Sequence, residues 1–114
     1  MVCTGLPARA QGTDWQSLNG QVVSLYRQGH YDRAVVLARQ ALQLAEQTFG
    51  PDHPNVATSL NNLAELNRVQ GQYAQAEPLY KRSLAIREKA LGPDPPDVAT
   101  SLNNLAELYR AQGQ

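Results

Sequence analysis

Gly50-Pro51-Asp52-His53-Pro54-Asn55-Val56-Ala57-Thr58-Ser59-Leu60-Asn61-Asn62-Leu63-Ala64-Glu65-Leu66 returns forty-two residues later as Gly92-Pro93-Asp94-Pro95-Pro96-Asp97-Val98-Ala99-Thr100-Ser101-Leu102-Asn103-Asn104-Leu105-Ala106-Glu107-Leu108. The match runs on to Gln72 and Gln114, and over the 23 aligned positions only 53, 55, 67 and 69 differ. Internal repetition of this kind decides the architecture, because a repeated unit is one supersecondary piece copied along the chain. The same offset aligns Gln28-Gly29, Tyr31, Ala34, Leu37, Leu42, Glu46 and Gly50 with Gln70-Gly71, Tyr73, Ala76, Leu79, Leu84, Glu88 and Gly92. Upstream of Gly29 the register slips by one residue, which marks the first unit as a diverged terminal member.

Each unit reads as two helices. Val56, Leu60, Leu63, Ala64 and Leu66 fall at helical spacing over a first helix of about 16 residues, with none of the strict alternation of a strand. Gln70-Gly71-Gln72 is the turn. Tyr73, Ala76, Leu79, Tyr80, Leu84 and Leu91 then form the apolar stripe of a longer second helix, closed by Gly92-Pro93 because proline cannot continue a helix. Asp52 and Asp94 are the expected N-caps. Pro78 lies past the first turn of the second helix, so a bend there or a later helix start is expected.

The fold class that follows is all-α: a stack of antiparallel helix pairs, about two and a half repeats long, which the family resemblance given below makes a right-handed superhelix. Residues 1–12 are expected to be a disordered N-terminal segment, followed by a repeat domain over 13–114. Its units cover about 14–49, 56–91 and, in part, 98–114. Ala8-Arg9-Ala10 matches a small-x-small cleavage site, so the alternative for the start is the tail of a signal peptide.

These residues resemble the tetratricopeptide repeat family, whose signature is W-x2-L-G-x2-Y, then A-x3-F, then P. The matching positions are Leu60-x2-Leu63-Ala64-x2-Asn67, Leu102-x2-Leu105-Ala106-x2-Tyr109, Ala76-x3-Tyr80 and, weakened, Ala34-x3-Ala38. Small residues at 64, 76 and 106 let helices approach while the large ones fill the space between them. The longer period, with Leu-Asn-Asn-Leu-Ala-Glu-Leu and Gly-Pro-Asp-x-Pro, is similar to the kinesin light chain type. HEAT and armadillo units share a period of about 42, but the paired Asn of the first helix and the Ala-x3-Tyr of the second argue against them.

The resemblance implies that first helices line a concave groove and that a peptide or partner protein binds there. It places Thr58, Asn61, Asn62, Glu65 and Arg68, and their copies Thr100, Asn103, Asn104, Glu107 and Arg110, along that groove. Gln16, Asn19 and Arg27 are the weaker candidates of the diverged unit. A carboxamide both donates and accepts, so a ladder of asparagines suits a peptide main chain of any sequence. The same asparagines could instead meet water or hydrogen-bond a neighbour. Arg68 and Arg110 are suited to an acidic side chain. Three first helices about 10 Å apart would hold about six residues of extended peptide, which implies micromolar affinity.

Composition narrows the alternatives. Ten basic residues balance ten acidic ones, so nucleic acid and anionic membranes are not the expected partners. The longest apolar run is Ala34–Ala38, far short of the roughly 20 residues of a membrane span. Cys3 has no second cysteine to pair with, which fits a reducing, cytoplasmic setting. His30 and His53 sit beside Gly or Pro in turns, with no metal-ligand spacing and no nucleotide or nucleophile motif. No cofactor, metal or catalytic role is expected. The five tyrosines are expected in helix packing and Trp15 at the N-terminal edge.

Residues 98–112 keep the internal apolar pattern rather than the polar outer face of a capping helix. Two expectations follow: a piece of a longer array, or an end that pairs with a second copy. The rival function is a regulatory segment of a larger enzyme or signalling protein. With about 1.5 kcal/mol of entropy per ordered residue to offset, a domain of this size is expected to be marginally stable.

Overall fold

A computed structural model describes the backbone of residues 8–91 and 96–113, and the side chains within 14–90 and 96–113. Five helices follow one another: α1 (Ala8–Arg27), α2 (Tyr31–Phe49), α3 (Pro54–Val69), α4 (Tyr73–Leu91) and α5 (Pro96–Ala111). Each packs on the next in sequence, α1 also touches α3, and the stack extends 56 × 34 × 19 Å. This is the expected pile of helix pairs. The printed range of α1 begins at Ala8, and Cys3 and Asp94 lie outside the described residues.

The helix ends follow from local chemistry. At the end of α1, Gly29 adopts φ 80°, its N–H donates to Tyr26 O (3.1 Å), and the His30 N–H reaches Leu25 O (2.9 Å). Gly71 does the same for α3, with Gln72 N–H to Asn67 O at 2.8 Å. A left-handed residue turns the chain and its neighbour's N–H satisfies carbonyls that the helix leaves free. The expected cap Asp52 is displaced by one residue. His53 caps α3, its Nδ1 accepting from the Asn55 N–H (3.0 Å), and Asp52 pairs with Lys89 (2.7 Å). The imidazole also stacks on Phe49, which spreads the cap onto the end of α2.

Pro78 neither delays nor breaks α4, which runs from Tyr73 through it. The carbonyl it deprives of a donor belongs to Ala74, and both residues are exposed, so water can serve the orphan acceptor.

Three apolar clusters form the core along the stack. In α2 the buried residues are Ala34, Ala38, Ala41 and Ala45, a small-residue stripe that lets neighbouring helices come close. In α3 two faces are buried. Val56, Ser59, Leu63 and Leu66 form one and Ala57, Leu60 and Ala64 the other. Trp15, in the first helix of the stack, is buried against Phe49 (centroids 6.0 Å, edge-on), and its Nε1–H donates to Ser59 Oγ at 2.8 Å, joining the first repeat to the second. Ser101, the copy of Ser59, accepts from Arg87 (2.7 Å) instead.

Candidate functional site

The first helices α1, α3 and α5 are tied to one another by carboxamides. Asn62 Nδ2 donates to Asn19 Oδ1 (2.6 Å), and Asn104 Nδ2 donates to Asn61 Oδ1 (2.7 Å). Both links span 43 residues, so the diverged first unit offers Asn19 at the place where Asn61 serves the next joint. The structure therefore brings Asn19, Asn61, Asn62 and Asn104 together and uses one group of each between neighbours. A carboxamide has further donor and acceptor positions, so each has some that the bonds between helices do not use. Asn103, the next copy of Asn61, is exposed.

Glu65 is the most heavily used acceptor of the row. Its Oε1 takes Arg68 (2.6 Å) and its Oε2 takes the hydroxyl of the fully buried Tyr80 (2.7 Å). Burial first, then the bond to the Glu65 carboxylate and its charge, push the Tyr80 hydroxyl well above the ordinary tyrosine range. Tyr26 is also raised, by burial first and then by the Glu65 charge. Arg68 is thus already committed to a carboxylate, although its Nε is buried without a partner among the described residues. Arg110 is held by Glu107 in the same way (3.0 Å), with both side chains largely exposed. Thr58 and Thr100 turn back on their own helices, donating to Pro54 O (3.3 Å) and Pro96 O (3.1 Å). Gln16 is exposed.

Beside this row, between α1 and α3, lies a cavity of about 270 Å³ lined by Val22, Val23, Tyr26, Arg27, Asn62, Glu65 and Leu66. Its lining is largely apolar, with Asn62, Glu65 and Arg27 as the polar members. Val22, Val23 and Leu66 escaped the sequence reading, because apolar residues at helical spacing read as core. The clue was the adjacent pair Val22-Val23, in which one residue packs inward and the next is left half-buried. A second hollow of about 380 Å³, at the α1–α2 turn, is lined by Gly29 to Arg33 and Gln70.

Among the described residues no group of three His, Cys, Asp or Glu is placed to hold a metal ion. No helix among them is long and apolar enough to cross a membrane.

A family model described as tetratricopeptide repeat matches residues 16–89 and 56–114. BtubC (BKLC) from P. vanneervenii superposes with a TM-score of 0.81 at 26% identity, over 86% of this chain and 39% of that one. The putative kinesin light chain nearly identical TPR-like repeats from Podosopora anserina give 0.78 at 27% identity, over 97% of this chain and 50% of that one. A point variant of those repeats gives 0.76 at 28%, over 87% and 47%. The chain thus spans half or less of the length of these similar structures.

Proposed function

The chain belongs to the tetratricopeptide repeat family, of the kinesin light chain-like type, and from that premise we propose that it is an interaction scaffold that holds an extended peptide across α1, α3 and α5. The role is binding rather than catalysis. The observation that carries this reading is the cavity between α1 and α3. It offers an apolar floor of Val22, Val23 and Leu66 beside the carboxamide row, so one apolar side chain of a peptide can be buried while its main chain meets the asparagines. Burying a side chain of valine or leucine size supplies about 1.5–3 kcal/mol, which main-chain bonds to carboxamides supplement. The groove is short, so micromolar affinity is expected.

The division of labour follows from the geometry. Asn61, Asn62 and Asn104 contribute the positions not used between helices, and Asn103, exposed, offers its whole carboxamide. Glu65 and Arg68 hold one another at the cavity edge and act on a ligand as a pair, so an acidic ligand side chain has to compete with Glu65 for Arg68. Glu107 and Arg110 form the looser copy of that pair.

A random peptide library displayed against the immobilised chain tests this. Selected peptides are expected to share an apolar anchor and to lose binding to a Val23→Trp variant, which fills the cavity from a half-buried position, while the helical circular dichroism is unchanged. Equal binding to that variant would move the site elsewhere.

A further inference from the structure

Gly29, Gly50, Gly71 and Gly113 each follow a helix and adopt a positive φ. Gly20 does neither. It lies within α1, has no positive φ, is exposed, and a Cβ added to it would meet nothing within 4 Å. No turn and no close approach calls for glycine there, although glycine inside a helix is destabilising relative to alanine. At the repeat offset its copies are Asn62 and Asn104, so the doublets Asn61-Asn62 and Asn103-Asn104 are answered in the first unit by Asn19-Gly20. Asn19 is the one asparagine of the chain that glycine follows.

That pair carries a chemistry of its own. The Cγ of an asparagine is an electrophile, and the backbone nitrogen of the next residue can attack it. The new N–Cγ bond closes a succinimide ring as ammonia leaves. Water then opens the ring at either carbonyl. One opening gives aspartate, and the other gives isoaspartate, in which the main chain runs through the former side chain. A Cβ on the attacking residue hinders the approach, and glycine has none.

The folded helix withholds this attack in three ways. The Gly20 N–H belongs to the hydrogen-bond ladder of α1. Helical side chains lean toward the N-terminus, which carries the Asn19 Cγ away from the nitrogen that follows it. The Asn19 carboxamide is also held, its Oδ1 accepting from Asn62 Nδ2 at 2.6 Å. One turn earlier Trp15 donates to Ser59, so two bonds to α3 flank the segment that would have to unwind. Reaction therefore requires a local opening in which α1 lifts from α3.

We propose that Asn19-Gly20 is a modification site, converted to aspartate or isoaspartate by its own backbone and water, and that docking of α1 on α3 gates the conversion. The two products act differently. Aspartate keeps an acceptor for Asn62 and adds charge, which strengthens such a bond and makes the α1 end of the carboxamide row anionic. Isoaspartate lengthens the main chain by one carbon, which throws the ladder of α1 out of register. A chain whose first helix has opened is thereby marked, and one that stayed closed is not.

The test keeps the whole chain in heavy-oxygen water at mildly alkaline pH. Digestion with trypsin in ordinary water then leaves only the earlier uptake labelled, and mass spectrometry reads it. Asn19 is the sole asparagine of the 10–27 peptide, and it is expected to take up label before Asn61, Asn62, Asn103 or Asn104. Gly20→Ala should slow uptake about tenfold or more. Asn62→Ala should quicken it about fivefold, the change that one lost hydrogen bond makes in an opening equilibrium. If Asn62→Ala loses helicity, a urea series on the parent replaces it: the rate at Asn19 should climb before the helical circular dichroism falls. Uptake at Asn19 no faster than at the other asparagines overturns the proposal. So does a rate that rises only with global unfolding, or one that is the same in the folded chain and in concentrated urea.

Discussion

At the residue scale, the informative groups are polar ones placed inside. Trp15 and Ser59 hold each other at 2.8 Å in a buried contact between repeats. Ser59→Ala leaves the indole N–H unsatisfied, and the expected cost is about 1–3 kcal/mol in a urea titration. A cost near zero would mean that the indole finds another acceptor. Tyr80 gives a pH signature. Its pKa is raised in the folded chain, so the stability it supplies is complete below the ordinary tyrosine value of about 10. That stability is lost as pH climbs from there through the higher folded value. Tyr80→Phe should therefore flatten the fall of Tm above a pH of about 10 relative to the parent, measured by thermal melts in a pH series. An unchanged slope would assign the alkaline loss to other groups. The sequence could name Tyr80 as a packing residue from its Ala-x3-Tyr spacing. It could not show that the hydroxyl reaches Glu65, because that bond depends on how two helices lie against each other.

At the element scale, helix ends are set within a few residues and were mostly readable. The Gln-Gly-Gln turn is where the pattern places it, since the left-handed position after α3 demands glycine. Gly71→Ala forces a Cβ into φ 80°, and about 1–2 kcal/mol of destabilisation is expected by denaturant titration. Nothing stands within 4 Å of that Cβ, so the loss is conformational rather than steric, and Gly71→Asn should recover part of it. The cap of α3 was misread by one position. Asp is the statistical favourite, but His53 has an aromatic neighbour to rest on, and Asp52 has Lys89 within reach. Pro78 was legible as a conflict but not in its outcome. Whether proline breaks a helix depends on whether the abandoned carbonyl faces water, and exposure of Ala74 is a property of the assembled stack.

At the scale of the whole molecule, stability is shared among neighbours rather than held in one centre. α3 is covered on two faces, whereas α5 packs on α4 and keeps its other face open. In a stack whose units touch only their neighbours, protection follows the number of covered faces. Amide hydrogen exchange is expected to be slowest in α3 and faster in α5, despite their identical eleven-residue core. Equal rates would mean that the chain opens as a single cooperative block. The repetition made this architecture legible, because one offset relates the helix pairs, with a slip of one residue in α1. The proposed groove was legible only in part. The polar row could be listed from first-helix positions, but the cavity beside it is bounded by side chains of both α1 and α3, and no periodicity reports a gap between two helices.

The carboxamide contact carries a lesson about inheritance. A single asparagine per unit would have to look both ways at once, whereas a doublet assigns one member to the unit before and one to the unit after: Asn62 looks back to Asn19, and Asn61 receives Asn104. Gene duplication of one whole block therefore copies both halves of the fastening in register, with the donor always pointing toward the N-terminus. Arrays of this kind can lengthen or shorten by entire blocks without inventing a new joint, while a point change at either asparagine strands its mate.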